Sequence, residues 1–159
     1  MKNILTLEEI TGVRRQFKES GKVVVFTNGT FDIIHAGHVD YLTKAKSLGD
    51  ILIVGLNSDA SIKRIKGDKR PIVPQKERAF ILSNIKAVDY VVVFEEDTPF
   101  EILKSIVPDI LVKGADWAKE NIVGKDIVEN AGGKVETIEF VNSQSTTNII
   151  KTILERYKE

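Results

Sequence analysis

Five short apolar runs, set between longer amphipathic stretches, constrain the fold of this chain more than any other feature. They are "KVVVFT" (22–27), "ILIVGLN" (51–57), "DYVVVF" (89–94), "DILVKG" (109–114) and "KVETIEF" (134–140). Runs of this length, rich in Val and Ile and bounded by polar residues or glycine, read as buried strands. Helical patterns lie between them. "TLEEITGVRRQFKESG" opens with a capping box, Thr6 as N-cap and Glu9 at N3, and Gly21 is placed to end it. "GHVDYLTKAKSLG" closes at Gly49, and a short helix is expected over 59–65. Pro74 starts "QKERAFILSNI", while Thr98, Pro99 and Glu101 open the next helix as N-cap, N1 and N3. "VGKDIVENAGG" and "STTNIIKTILERY" complete the series. Alternation of apolar strands with helices predicts an α/β fold: a single doubly wound, Rossmann-like domain over residues 1–159 with a five-stranded parallel sheet. A chain of 159 residues can bury one full core of that kind.

Bulk composition removes several function classes. Lys plus Arg and Asp plus Glu number 23 each, so the basic excess of a general nucleic-acid binder is missing. The absence of cysteine excludes disulfides and thiolate metal sites. No apolar run is long enough to span a bilayer, and "MKNILTLEEI" turns acidic too early for a signal peptide. The expectation is a cytoplasmic protein acting on neither membrane nor nucleic acid.

Ligands of open parallel sheets bind beyond the carboxyl ends of the strands. Four polar clusters are expected there: 28–38, 57–70, 113–117 and 141–147. The first, "NGTFDIIHAGH", holds both histidines of the chain, His35 and His38. Three residues apart on a first helical turn, they face the same way. Gly29 permits a turn and close backbone approach, and Gly37 leaves room for a bulky group. Free N–H groups at the positive end of a helix make the same place a seat for phosphate. Two competing readings remain from the residues alone. The histidines could be ordinary surface or core side chains, or ligands to zinc. Zinc on a helix usually takes histidines at i and i+4 with a third ligand, unlike the spacing here.

"GTFDIIHAGH", "LGDILIVGLNSD", "LVKGADW" and "STTNIIKTI", in that order, resemble the blocks of the nucleotidyltransferases related to cytidylyltransferases, with their H-x-G-H signature. "NSDASIKRIKGDKRPI", "FEEDTP" and "PDILVKG" are most similar to the heptose-1-phosphate adenylyltransferase branch. The resemblance departs at Thr30, where that branch often has cysteine, and at Ala115, where it often has glycine. It implies transfer of AMP from ATP to a sugar 1-phosphate, with Mg²⁺ accompanying ATP and a homodimeric enzyme. His35 and His38 would be catalytic, together with Ser145 and Thr146. The nucleotide would be bound by Thr30, Phe31, Asp32, Gly37, His38, Asp59, Lys113, Gly114, Asp116, Trp117, Ser145, Thr146 and Thr147. Asn28, Lys66, Arg70 and Arg78 would meet the sugar phosphate. Asp32 could instead contact a metal or be structural, Asp59 could simply cap a helix, and one hydroxyl of the "STT" cluster could do the same. A sugar kinase found in bifunctional members would be expected on a separate protein. Rival activities are glycerol-3-phosphate cytidylyltransferase, FAD synthetase and a non-catalytic nucleotide-binding module.

Overall fold

The computed structural model describes residues 3–115, 118, 121–139 and 145–158. The strands are β1 (Ile4–Leu5), β2 (Val24–Gly29), β3 (Ile51–Asn57), β4 (Tyr90–Phe94), β5 (Ile110–Gly114) and β6 (Lys134–Ile138). The helices are α1 (Leu7–Glu19), α2 (Ala36–Lys46), α3 (Asp59–Lys66), α4 (Gln75–Ser83), α5 (Phe100–Ile106), α6 (Lys125–Asn130) and α7 (Thr146–Arg156). The sheet has six strands in the order β1-β4-β3-β2-β5-β6, and its pairings are parallel. Five were expected. The additional strand is two residues at the edge, Ile4 beside Val91 and Leu5 beside Val92. Two residues carry no periodicity, so only their partner on β4 defines them.

Consecutive residues along the strands enter opposite cores, as the pleat requires. Val25, Leu52, Val54, Leu56, Val91, Ile110 and Val112 pack with Tyr41, Leu42 and Ala45 of α2 and with Ala79 and Leu82 of α4. Val24, Phe26, Ile53, Val92 and Leu111 pack with Ile10 of α1, Ile102, Leu103 and Ile106 of α5, and Val128 of α6. At about 25 cal/mol per Å² of apolar surface, each fully buried Leu or Ile contributes about 2 kcal/mol. The two cores therefore fix the sheet firmly and leave its carboxyl edge to the loops.

The caps follow the sequence in most places. Glu9 N donates to Thr6 Oγ1 at 3.2 Å and Thr6 N to Glu9 Oε2 at 2.8 Å, closing the expected box. Gly21 takes φ 69° just beyond the Ser20 cap. Three expectations need correction. β2 runs two residues further than expected, because Asn28 and Gly29 pair with Gly55 and Leu56 of β3 despite their polarity. α5 starts after Pro99, which caps it without any side-chain bond, so Thr98 is not the N-cap. Gly49 does not close α2, which ends at Lys46 with Ser47 as its C-cap. A Cβ at Gly49 would lie 2.7 Å from Val25 Cγ2 and 2.8 Å from Val23 O, so close packing explains that glycine.

Candidate active site

β2 ends in the middle of the sheet, between β3 and β5, and its exit loop carries the histidine pair. Lys113 at the end of β5 donates to Asn28 Oδ1 at the end of β2, bridging the two neighbouring strands. Phe31 sits at φ 41°, a left-handed conformation a bulky residue adopts only under constraint. Its ring lies 5.3 Å from that of His38. A Cβ on Gly29 would come within 3.0 Å of the Phe31 ring, so the glycine makes space for this turn.

His35 is the N-cap of α2, with extended backbone and no side-chain capping bond. His38 stands one turn on, and the ring centroids are 3.9 Å apart. Both Nδ1 atoms are buried without a hydrogen-bond partner among the described residues. A buried polar atom left unpaired costs about 1–3 kcal/mol, and here two such atoms lie side by side. Burial, then the neighbouring His35, then Lys66, push His38 down to about 4. Burial likewise lowers His35. Both imidazoles are therefore neutral at neutral pH in the free protein. A polyanion arriving here would favour the charged forms and raise both values.

The opening of α7 meets this loop directly. Ile33 N donates to Thr146 Oγ1 and Thr146 Oγ1 donates to Ile33 O, each at 3.4 Å. The hydroxyl-bearing helix start thus lies against the segment two residues before His35. Within the "STT" cluster the roles divide. Ser145 Oγ accepts from Asn148 N at 3.1 Å as an ordinary N-cap. Thr146 is buried against the histidine loop, and Thr147 is exposed.

The basic segment after α3 folds over the same edge. Asp32, 1% exposed, accepts from Ile72 N at 2.8 Å and Val73 N at 2.9 Å on Oδ1, and from Arg70 Nε at 2.6 Å on Oδ2. Burial raises the Asp32 pKa, but the Val73, Ile72 and Arg70 bonds outweigh it and hold the carboxyl below its usual value. Burial, then Arg70, lowers Lys66, against an opposing pull from Asp32. Lys66 and Arg70 therefore stand close enough to repel each other, and Lys66 is also close enough to depress His38.

Arg78 differs from the other basic residues. It is fully buried, and its guanidinium donates to Val73 O at 2.9 Å, Thr30 O at 2.7 Å, Asn57 O at 2.9 Å and Asp59 Oδ1 at 2.7 Å. It ties the ends of β2 and β3 to the loop before α4, which is a fastening role. Asp59 is its ion partner and not the cap of α3. That cap is Ser58, whose Oγ accepts from Ser61 N at 3.1 Å. Asp116 and Trp117 lie outside the described residues, as do 141–144. The structure thus brings together Asn28, Thr30, Phe31, Asp32, His35, Gly37, His38, Lys66, Arg70, Lys113, Gly114 and Thr146 along one edge. Gln75 was missed from the sequence: its Oε1 accepts from Asp59 N at 2.9 Å, over a separation no local pattern reveals.

The carboxyl edge of the parallel sheet thus gathers imidazole, cationic and hydroxyl groups from four separate segments of the chain. The cytidylyltransferase-like family profile matches residues 26–154, and the chain belongs to that family; by class it is a nucleotidyltransferase. Among curated proteins it is similar to the bifunctional protein HldE of Syntrophotalea carbinolica, with 55% identity over 96% of this chain and 31% of that protein. It is also similar to HldE of Geobacter metallireducens, with 53% identity over 98% of this chain and 32% of that protein. The chain thus spans about a third of the length of the curated relatives it matches. A crystal structure of the lipopolysaccharide core biosynthesis protein from Thermoplasma volcanium aligns with TM-score 0.64 and 28% identity, over 78% of this chain and all of that one. Pantoate-beta-alanine ligase from Francisella tularensis, at 14% identity and TM-score 0.63, shares the fold alone.

Proposed function

We propose that this protein transfers AMP from ATP to heptose 1-phosphate, forming ADP-heptose and releasing pyrophosphate. The observation that carries the proposal is the contact between the histidine loop and the opening of α7 through Thr146 and Ile33. One triphosphate can reach both. The family match, the HldE relatives and the sequence blocks of the heptose branch support the choice of reaction. We read the sheet as doubly wound, with its ligand crevice where β2 and β5 diverge.

The nucleophile is an oxygen of the sugar phosphate, whose second pKa of roughly 6 leaves it ionised at neutral pH. No general base is needed. The oxygen attacks the α-phosphorus in line, the bond from that phosphorus to the bridging oxygen of the β-phosphate breaks, and pyrophosphate leaves with the electron pair. The protein's task is to bring two polyanions together and to stabilise charge passing to the leaving group. His35 and His38, neutral when the site is empty, become hydrogen-bond donors to the phosphates and gain protons as the charge arrives. Ser145, Thr146, Thr147 and the first N–H groups of α7 hold the β- and γ-phosphates. Thr30 and Phe31 offer backbone N–H groups, Lys113 and Gly114 at the end of β5 take the nucleoside, and the family resemblance adds Asp116 and Trp117 to that role. Lys66 and Arg70 take the acceptor phosphate.

Mg²⁺ enters as part of the substrate, MgATP. Asp32 has its oxygens engaged by Arg70, Ile72 and Val73, and no group of three or more metal-binding side chains exists among the described residues. Phosphate oxygens and water suit such an ion. The reading puts the enzyme in the cytoplasm, where ATP is made, and as a homodimer; among the described residues no helix is long and apolar enough to cross a membrane. Exposed Ile153, Leu154 and Tyr157 on and beside α7 are available for subunit contact, which sedimentation would test.

Pyrophosphate release with each NTP and a panel of phosphates tests the reaction. Turnover with ATP and heptose 1-phosphate alone supports it. Turnover with CTP and glycerol 3-phosphate, or with ATP and riboflavin phosphate, replaces it with a sister activity.

A further inference from the structure

The two arginines assigned to the acceptor phosphate are held in opposite ways. Arg78 is fully buried with its donors turned onto protein acceptors. Arg70 is anchored at one point only, its Nε on Asp32 Oδ2. Its two terminal nitrogens bond to no other described residue, although only 14% of the side chain is exposed. An arginine gripped by Nε keeps its planar fork free and fixed in orientation, the arrangement suited to two oxygens of one phosphate.

Asp32 itself is almost wholly buried, three residues before His35. Its Oδ1 fastens the backbone at Ile72 and Val73 while Oδ2 aims Arg70. Arg70 N also donates to Gly67 O at 3.0 Å, closing a tight turn whose Gly67 stands at φ 89°. One carboxylate thus sets the distance between the histidine loop and the basic turn. Lys66 stands at the start of that turn, near Arg70 and His38.

We infer that Asp32 is a positioning residue for the acceptor half of the site: it aims the free fork of Arg70 at the sugar phosphate. This rests on the proposed reaction and changes the role of Asp32 from nucleotide contact to acceptor alignment. Arg78 correspondingly leaves the substrate-binding set and belongs to the frame.

The test is a kinetic and binding comparison of the full chain with Asp32→Asn, Arg70→Ala, Arg70→Lys and the Asp32→Asn/Arg70→Ala pair. Asn keeps an acceptor for the Ile72 and Val73 N–H groups but turns an amide donor toward Arg70. Losing charge-assisted bonds of this type weakens binding about 10- to 100-fold. KM for heptose 1-phosphate is expected to rise by about that factor in each single variant, with KM for ATP within about twofold. The pair is expected to match Arg70→Ala, since an aimed group that is absent cannot be aimed. Arg70→Lys keeps the charge without the fork and is expected to recover little. A rise in the ATP KM with an unchanged acceptor KM overturns the inference, as does additivity of the two changes. Binding of inorganic phosphate, titrated calorimetrically with a non-hydrolysable ATP analogue present, supplies a readout free of turnover. If wild type binds phosphate in an Arg70- and Asp32-dependent way yet turns over no sugar phosphate, the inference stands and the proposed reaction falls. If phosphate binding survives Arg70→Ala unchanged, the inference falls whatever the reaction. Should Asp32→Asn fail to fold, Asp32→Glu, which keeps the charge but displaces the carboxylate, takes its place beside the Arg70 variants: a raised acceptor KM with an unchanged ATP KM supports the inference, and an unchanged acceptor KM overturns it.

Discussion

The two edges of the sheet use charge differently. At the amino edge, three aspartates each stand just before a strand and accept an N–H from its neighbour: Asp50 from Val23, Asp89 from Leu52 and Asp109 from Val24. Lys46 pairs with Asp89 at 2.6 Å and Arg14 with Asp109 at 2.9 Å. Arg14 also donates to the carbonyls of Ile106 and Val107, leaving only its Nη1 buried and unpaired. The carboxyl edge holds Lys66, Arg70, Lys113 and the histidines, with two buried imidazole nitrogens lacking partners and one arginine fork left open. Satisfied polar groups stabilise a fold, whereas unsatisfied ones gathered at one edge are what a ligand completes. Both edges carry both signs of charge, and the difference teaches that unpaired donors and acceptors, more than charge itself, are concentrated at the carboxyl edge.

Changes at the two edges should therefore fail in different ways. His38→Ala is expected to cut kcat about 10²–10³-fold, the scale of losing one charge-stabilising donor, with an unfolding midpoint near wild type. Steady-state pyrophosphate release and a urea titration check both halves; equal losses in each would erase the distinction. Asp109→Ala takes the carboxylate partner from buried Arg14 and leaves the Val24 N–H unpaired, and is expected to cost about 2–4 kcal/mol of stability. The surviving folded enzyme should keep its kcat/KM, and a tenfold loss there would show that the amino edge reaches the chemistry.

Acidification should expose the same contrast. His38 is lowered in the folded state, so the unfolded chain binds more protons between its ordinary value and about 4. Stability is complete above about pH 6.5 and falls as pH drops toward 4, by on the order of 1–2 kcal/mol after allowance for solvent screening. His38→Ala should flatten that slope in urea titrations across the window. ATP, which favours the charged imidazole, should bind more tightly as pH falls through the same range, the opposite sign. The smallest effect is expected from Ser145→Ala, which removes the α7 cap bond and costs about 1 kcal/mol. Because Ser145 is also proposed to hold the phosphates, kcat should fall by more than the lost cap explains, and a loss confined to stability would leave Ser145 as a cap alone.

The comparison also shows what was legible in the sequence. Apolar runs revealed the central strands, because burial on both faces leaves a near-continuous pattern. β1 was invisible, since two residues have no period and are defined by Val91 and Val92 on a distant strand. The histidines and hydroxyls of the site announced themselves by local spacing. Asp32 and Arg78 did not reveal their tasks, because their partners lie 38 to 48 residues away in part. The aspartate before three consecutive central strands, "GDILIV", "VDYVVV" and "PDILVK", was a readable signal of the amino edge that only its bonds explain.

The chain has two histidines, so their imidazole proton resonances can be followed without ambiguity through a pH titration. With a non-hydrolysable ATP analogue bound, both resonances should shift and both apparent pKa values should rise from their depressed positions, while Thr146→Val weakens the effect. An analogue that binds, yet leaves both imidazoles titrating as in the free protein, would contradict a triphosphate held between the histidine loop and α7.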